Sequence, residues 1–327
     1  MARMIADQNQ LSFIYESGTY GNSSGTRQWI GEVQDFSPDE ATNVIPVRHQ
    51  GDTDRNVSQF VDGPLDFTGT FTYFPQDWKF LMFALGSNVD GGADPKTHTM
   101  SEVNSDNGNG FTSGANNPFM SFTLESAQNA GTAGENFIRT INGCMVNNMT
   151  ITAGQGEIIS VDVDYIGQTN TFSSGAVTGL TEATTRPFLW SDSQVQLASG
   201  TAVDNVKTTT LSINNNMEGP HYQTGSREID VPIPLARDYE LSLTVDANST
   251  WTKNFYDKYF IGGSTFNVLW KISATASREM FVTMSGCKLT DMGAPQGMEG
   301  VNEQTLTIQP GTCNALAEDS TTSYNPW

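Results

Sequence analysis

Several short segments of the sequence alternate apolar and polar residues with a period of two. In 65–74 (LDFTGTFTYF), apolar residues alternate with aspartate and threonine, and the segments 158–167 (IISVDVDYIG) and 239–247 (YELSLTVDA) alternate in the same way. This period is typical of an antiparallel sheet with one face on a core and the other in water. The sequence therefore predicts a mainly β protein built from antiparallel β-sandwich or barrel domains.

Two segments carry a helical period instead. In 76–86 (QDWKFLMFALG), Trp78, Leu81 and Leu85 lie on one helical face, and 250–263 (TWTKNFYDKYFIGG) places three aromatic residues on another. Each segment contains a tryptophan and ends at glycine. The pattern predicts one short α-helix in each half of the chain, packed across a sheet.

The same series of elements occurs twice along the chain. An alternating strand, a tryptophan-containing helix and a further strand precede GCMVNNM at 143–149 and again GCKLTDM at 286–292. Trp78 and Cys144 are 66 residues apart, whereas Trp251 and Cys287 are 36 apart. A loop insertion of 30 residues at 88–117 accounts for the difference. We interpret the two tryptophans and these two cysteines as core markers of an internal repeat.

The repeat predicts where the chain divides. Residues 88–117, 171–185 and both chain ends are polar, rich in glycine or weakly periodic, which is typical of loops, linkers and arms. The predicted division is an N-terminal arm at 1–30, a first domain at 31–170 with the insertion 88–117, a linker at 171–185, a second domain at 186–310 and a C-terminal arm at 311–327.

Composition adds a strong acidic balance. The chain has 16 Lys and Arg against 36 Asp and Glu, and its formal net charge is −20. A surface of that sign repels nucleic acid and anionic membranes. Screening at ~1 M salt removes most of the self-repulsion, so the composition also points to a salt-rich host. Without an apolar leader or membrane span in the sequence, we expect a soluble protein made in the cytoplasm.

No motif predicts catalysis, a cofactor or a metal ion. The three histidines, His49, His98 and His221, fall in predicted loops without metal-ligand spacing, and no GxSxG elbow follows a strand. Asp/Asn/Gly clusters at 90–94 and 106–110 lack the spacing of a calcium loop and are typical turn formers. Three widely spaced cysteines signal neither a disulfide framework nor zinc, so reduced core thiols are expected.

At this point the chain resembles the tail tube (major tail) proteins of long-tailed, non-contractile viruses, in the form that fuses two tube domains. The resemblance rests on an arm around Tyr15–Gly21 (YESGTYG) and on 137–167, where a turn glycine and a small core residue precede two long strands. It implies a β-sandwich with a flanking helix in each half, one sheet of which continues into the neighbouring copies. With six domains per ring, such a chain forms homotrimeric, pseudo-hexameric rings that stack into a tube.

The resemblance also implies partners and a location. The partners are copies of the chain itself, other tail proteins at the tube ends and DNA that passes through without binding; a membrane is not among them. Assembly takes place in the host cytoplasm and the product belongs to the virion tail. Acidic residues would then line the lumen, and the candidates on polar strand faces are Asp66, Asp162, Asp164 and Asp246.

Other interpretations of these residues stay open. Asp162 and Asp164 are two residues apart on one strand face, where they could be paired catalytic carboxylates or merely solvated side chains. A carbohydrate-binding or adhesin-like β-sandwich would instead use exposed aromatic residues in loops. A hydrolase on a β-sandwich would require turnover. Ordered self-assembly, a saturable sugar ligand and turnover distinguish the three hypotheses.

Overall fold

A computed structural model of the chain describes residues 9–16, 20–23, 25–49, 56–103, 120–129, 136–175, 180–197, 201–247, 255–293, 302–321 and 323–324. In this part of the chain, no helix is long and apolar enough to cross a membrane.

Twenty-two strands and three short helical segments make up the described fold. The first half contains β1 (Asn9–Tyr15), β2 (Gln28–Trp29), β3 (Glu32–Ala41), β4 (Ile45–Val47), β5 (Gln59–Val61), β6 (Asp66–Phe74), α1 (Leu81–Leu85), β7 (Gly86–Gly91), β8 (Lys96–Glu102), β9 (Phe122–Gln128), β10 (Phe137–Gly154), β11 (Ser160–Gly167) and β12 (Thr169–Ser173). The second half contains a 3-10 turn (Trp190–Asp192), β13 (Ser193–Leu197), β14 (Thr201–Ala202), β15 (Val206–Asn214), β16 (Met217–Glu218), β17 (Ile233–Pro234), β18 (Asp238–Asp246), a π-helix (Tyr256–Ile261), β19 (Phe266–Thr275), β20 (Arg278–Gly293), β21 (Glu303–Gln309) and β22 (Thr312–Asp319).

Antiparallel pairing throughout the described strands confirms the predicted mainly β class. A central sheet runs in the order β3–β6–β11–β10–β15–β18–β21–β20. A second sheet runs β2–β1–β9–β10–β12, and a third runs β14–β13–β19–β20–β22–β8–β7. The long strands β10 and β20 each belong to two sheets, so the central sheet and its flanking sheets enclose a continuous apolar core.

The order of pairings in the first half recurs in the second. β6 pairs with β3 and β11, as β18 pairs with β15 and β21. β10 pairs with β9 and β12 along its first part and with β11 along its second, as β20 pairs with β19, β22 and β21. This recurrence is the structural counterpart of the sequence repeat.

The repeated Gly-Cys pair lies at the bend of each long strand. Gly143 and Gly286 have φ of 67° and 63°, a left-handed conformation that glycine adopts without a Cβ penalty. The cysteine that follows pairs with the first residue of the preceding strand, Phe122 in β9 or Phe266 in β19. The glycine therefore lets one strand leave the flanking sheet and continue in the central sheet.

Both helical segments pack on these two phenylalanines. The ring of Phe83 in α1 lies 4.8 Å from that of Phe122, and Tyr259 in the π-helix lies 4.8 Å from Phe266. α1 ends at Gly86, and all five of its residues are buried, so it is a core element without a solvent face. Trp78, Cys144 and Cys287 are also buried, whereas Trp251 lies outside the described residues.

Both chain ends contribute core strands where the sequence predicted arms. β1 pairs with β9 over seven residues and carries Leu11, Phe13 and Tyr15 into the core. At the other end, β22 lies between β20 and β8, and Cys313, Ala315 and Ala317 are buried. The sequence prediction failed at β22 because alternating small residues resemble an unstructured tail, although they fit a closely packed interior.

The predicted loop insertion is ordered over its described part. β7 and β8 form a hairpin, and β8 extends the third sheet by pairing with β22. Residues 104–117 of the predicted insertion lie outside the described residues. The interpretation of 88–102 as a surface loop is therefore wrong, since a polar sequence here forms a strand that belongs to a sheet of the second half.

His98 on β8 corrects the expectation that the histidines lie in surface loops. Its side chain is fully buried, with Nδ1 at 2.6 Å from Asp90 and Nε2 at 3.2 Å from Asp319. Its ring stacks on that of Tyr324 at 3.6 Å, and the Tyr324 hydroxyl donates to Asp319. Together these residues form a buried His98 cluster that fastens the last described residues of the chain to the β7–β8 hairpin.

A second buried polar group, Glu16, fastens the other chain end. Its carboxylate accepts hydrogen bonds from the backbone N–H groups of Gly21 (2.9 Å) and Gly143 (2.6 Å). It also accepts bonds from the hydroxyls of Ser121 (2.6 Å) and Thr123 (2.7 Å). Four donors thus converge on one carboxylate beside the glycine bend of β10.

We expect Glu16→Gln to destabilise the folded chain by about 3 kcal/mol, because the amide NH₂ would face donors and leave at least one of them unpaired. The exposed Glu157→Gln makes the same chemical change and should shift stability by less than about 0.5 kcal/mol. Urea denaturation of both variants measures the difference. Equal stabilities would show that the four hydrogen bonds are replaceable.

Candidate assembly surfaces

The central sheet presents one apolar and one polar face. Phe71, Val163, Leu211 and Leu243 point into the core from four of its strands. On the opposite face, cross-strand neighbours form polar rows. One row contains Asp35, Thr72, Asp162, Thr150, Ser212 and Glu240. A second contains Thr152, Thr210, Ser242, Thr307 and Asp291.

Acidic residues dominate the strands of this sheet. The strand segments that pair in it, with 145–154 from β10 and 288–293 from β20, contain twelve acidic residues and two basic ones, Lys207 and Lys288. Lys207 lies on the polar face, where its ammonium contacts Asp246 at 2.8 Å and Glu303 at 2.6 Å. These two contacts lie at one corner of the sheet, and among the described residues of the sheet acidic side chains remain in clear excess.

The four predicted acidic residues lie on this one polar face. Asp162 accepts a hydrogen bond from Thr72 at 2.5 Å, and Asp164 accepts one from Asn148 at 3.3 Å. Asp246 contacts Lys207, and Asp66 accepts a hydrogen bond from Asn43 at 2.6 Å and lies 2.9 Å from His221. The structure brings residues from three strands of both halves to a common surface, although it does not pair them as a catalytic dyad.

The two halves join through continuous strand pairing. β10 pairs with β15 from Asn148 opposite Asn214 to Gly154 opposite Thr208. The backbone ladder therefore passes from one half to the other without an interruption. A covalent linker is not what aligns the halves, because the ladder itself sets their register.

Each end of the central sheet is an unpaired edge among the described residues. β3 pairs only with β6, and the part of β20 in this sheet pairs only with β21. An open edge exposes backbone donors and acceptors that can pair with another chain. β3 carries four acidic residues and Pro38, which are features that discourage indiscriminate edge pairing.

The described residues include neither a metal-binding cluster nor an exposed cysteine. They contain no group of three or more His, Cys, Asp and Glu residues placed to hold a metal ion. All three cysteines are free and buried. Burial raises the pKa of Cys287 to about 11 and that of Cys313 to about 12, so these thiols stay protonated and unreactive at neutral pH.

Comparison with known proteins decides the family. A family described as phage tail tube protein matches residues 8–310. The chain belongs to this family. No curated protein matches the chain.

Membership of the tail tube family gives the polar face and the open edges a context. The chain is a structural protein of the virion tail that assembles with copies of itself into a tube and meets other tail proteins. A protein of this kind needs surfaces that recognise a second copy. The alternating strands were recognisable in the sequence, but the open edges were not, because an edge depends on long-range pairing.

Proposed function

We propose that the chain is a tail tube subunit with two tandem tube domains and that three copies close a pseudo-hexameric ring. The observation that carries the proposal is the junction between β10 and β15, which joins the two halves by strand pairing. In the order of the central sheet, the last strand of the second half is β20, the equivalent of β10. The first strand of the first half is β3, the equivalent of β15. A ring closes when β20 of one copy pairs with β3 of the next.

The internal repeat predicts the register of this pairing. β10 and β20 each shift register four residues after the bend glycine, between Val146 and Asn148 and between Leu289 and Asp291. Gly293 therefore takes the position of Thr150. β3 and β15 shift between Val33 and Asp35 and between Val206 and Thr208.

Because β3 and β15 shift register at corresponding residues, Asp39 takes the position of Ser212. Thr150 lies opposite Ser212 inside the chain. Across a ring contact, Gly293 of one copy should therefore lie opposite Asp39 of the next. Three such contacts give a 24-stranded wall, since each chain supplies eight strands to the central sheet.

We infer that the acidic polar face lines the lumen of this tube. The apolar face of the sheet is already covered by the flanking sheets and helices, so the polar face is the one left to border an internal channel. Negative charge there repels the phosphate backbone and keeps DNA mobile during its passage from capsid to host. The same excess of acid supports a host with a salt-rich interior, where self-repulsion is screened.

A paired-cysteine experiment tests the ring contact. Directly opposed residues in an antiparallel ladder have Cα atoms about 4.5–5.5 Å apart, within the range of a disulfide. A Cβ placed on Gly293 meets nothing closer than 3.8 Å, so this position accepts a side chain. We expect Gly293→Cys combined with Asp39→Cys to form oxidised species of two and three chains on denaturing gels, ending at three.

Two controls make the result specific. Thr150→Cys with Ser212→Cys places the same pair inside the chain and should cross-link without a change in mass. Gly293→Cys with Glu40→Cys points to opposite faces and should not cross-link. Failure of the intermolecular pair when the internal pair forms, or a ladder that continues beyond three chains, would rule out the trimeric ring.

A further inference from the structure

The β4–β5 hairpin of the first half exposes an unusual amount of apolar side chain. Phe60 is 67% exposed, Ile45 is 51% exposed and Val44 is 45% exposed, and Val47 and Val61 are also exposed. Four of these residues lie in one two-stranded sheet, and Val44 directly precedes its first strand. A single exposed apolar residue is unremarkable, but a contiguous group marks an interaction surface.

The second half has an equivalent hairpin, β16–β17, with the same root. Asn43 and Asn216 both have positive φ, at 43° and 46°. The Asn43 amide donates to the Pro64 carbonyl and to Asp66, as the Asn216 amide donates to the Ala236 carbonyl and to Asp238. The two hairpins thus leave the central sheet in the same way, and Val44 corresponds to Met217, one residue after the asparagine.

The two hairpins differ in what covers them. Met217 is only 9% exposed, because it packs with Val231 against Met145, Ile166 and Tyr20 of the first half. A hydrogen bond adds to this apolar contact, because the backbone N–H of Met217 donates to the side chain of Asn147 at 2.8 Å. The β16–β17 hairpin is therefore a clasp from the second half onto the first, and it accompanies the β10–β15 ladder.

We propose that the β4–β5 hairpin clasps the second half of the neighbouring copy in the same ring, at the surface that corresponds to the one under β16–β17. This inference rests on the proposed ring, and it names a contact apart from strand pairing. In the repeat, Met145 corresponds to Lys288, two residues after the bend glycine, so the stem of Lys288 is the expected seat of Val44.

No described residue covers the corresponding surface of the second half at Ile261 and Lys288. The asparagine before the second hairpin, Asn215, donates to the Ala84 carbonyl at the end of α1 at 3.1 Å. The matching end of the π-helix exposes Ile261 at 65%, and Lys288 is exposed beside it, its ammonium bound to the Gly263 carbonyl. An exposed apolar hairpin and an exposed apolar helix end thus occupy the two sides of one predicted contact, which favours a second copy as the occupant.

Thiol labelling tests whether the hairpin is covered on assembly. A Val44→Cys variant should react readily with a maleimide as a monomer and about tenfold more slowly once assembled. Val89→Cys is the matched control, because Val89 is 69% exposed and lies outside the hairpin. It should react at the same rate in both states. The native cysteines are buried and contribute little background.

A second cysteine pair locates the seat. Val44→Cys with Lys288→Cys should cross-link between chains, whereas Met217→Cys with Met145→Cys should cross-link within one chain. If Gly293→Cys and Asp39→Cys join the ring but Val44→Cys stays reactive, the clasp is wrong and the ring stands. Protection of Val44→Cys only in stacked tubes, without the Lys288→Cys cross-link, would place the hairpin against an adjacent ring and overturn the proposal. If no variant assembles, the proposed ring is wrong, and the hairpin contact that rests on it is wrong too.

Discussion

Replacing His98 with leucine is expected to destabilise the folded chain by about 3 kcal/mol at pH 6, since it removes the cation from a buried ion pair. When ionised, Asp90 and Asp319 can only accept hydrogen bonds, and both contact the same imidazole ring, at 2.6 and 3.2 Å. Both contacts are satisfied only when both ring nitrogens carry a proton. Leucine would place an apolar side chain where two carboxylates, Asp90 and Asp319, now contact the imidazole.

The pH dependence follows from the same contacts. Burial by itself lowers the pKa of His98, but hydrogen bonds to Asp319 and Asp90 outweigh it and raise that pKa above its usual value. Its contribution to stability is therefore complete below about pH 6.5 and is lost as the pH rises through the raised pKa. The pKa of Asp319 is also affected by burial, which raises it, but the bonds from His98 and Tyr324 lower it overall. That contribution is present above about pH 4 and is lost in stronger acid.

Urea denaturation of unassembled protein between about pH 2 and 9 checks both statements. The wild type should lose stability above neutral pH, whereas His98→Leu should be weaker at pH 6 and nearly flat from pH 6 to 9. His221→Leu is the matched control, because His221 also contacts a carboxylate, Asp66 at 2.9 Å, but its side chain is 30% exposed. It should cost less than about 1 kcal/mol. An unchanged alkaline slope in His98→Leu would show that another group causes it.

The His98 cluster also shows what sequence patterns can and cannot predict. Period-two alternation predicted the strands of the central sheet, since their burial is local and strong, as in Val161 and Val163. The alternation around His98 contains a histidine among threonines, which is typical of a wet strand. It is buried because Asp319, 221 residues away, neutralises it. Such compensation depends on tertiary pairing and leaves no local signal.

The internal repeat predicted more of the fold than any single motif did. The Gly-Cys pair predicted an element that recurs, and both copies occupy a bend where a long strand changes sheets. The sequence could not predict β22, because this strand is buried only through its pairing with β8 on one side and β20 on the other. For the polar face, alternation predicted the side on which Asp162 and Asp164 lie. That this side continues across both halves required the β10–β15 register.

The salt concentration should determine whether the tubes assemble or dissociate. In the proposed ring, three chains of net charge −20 carry −60 formal charges together, and stacking would bring rings of like charge close to one another. The screening length is about 10 Å at 0.1 M salt and about 3 Å at 1 M. Excluded salts such as sulfate also strengthen apolar contacts at the seams. We therefore expect tubes to persist in molar salt and to dissociate on dilution, as measured by light scattering and electron microscopy.

Neutralising the polar face should lower this salt requirement. Asp162→Asn with Asp164→Asn removes two charges per chain from the face that, in the proposed ring, borders the lumen. Glu182→Gln with Asp204→Asn removes the same charge from exposed positions outside that sheet. The first variant should assemble at lower salt than the second if the acids meet across a lumen. Equal midpoints would assign the effect to net charge alone. Assembly favoured by low salt would instead mean that ion pairs hold the rings together, and the argument for a salt-rich host would fail with it.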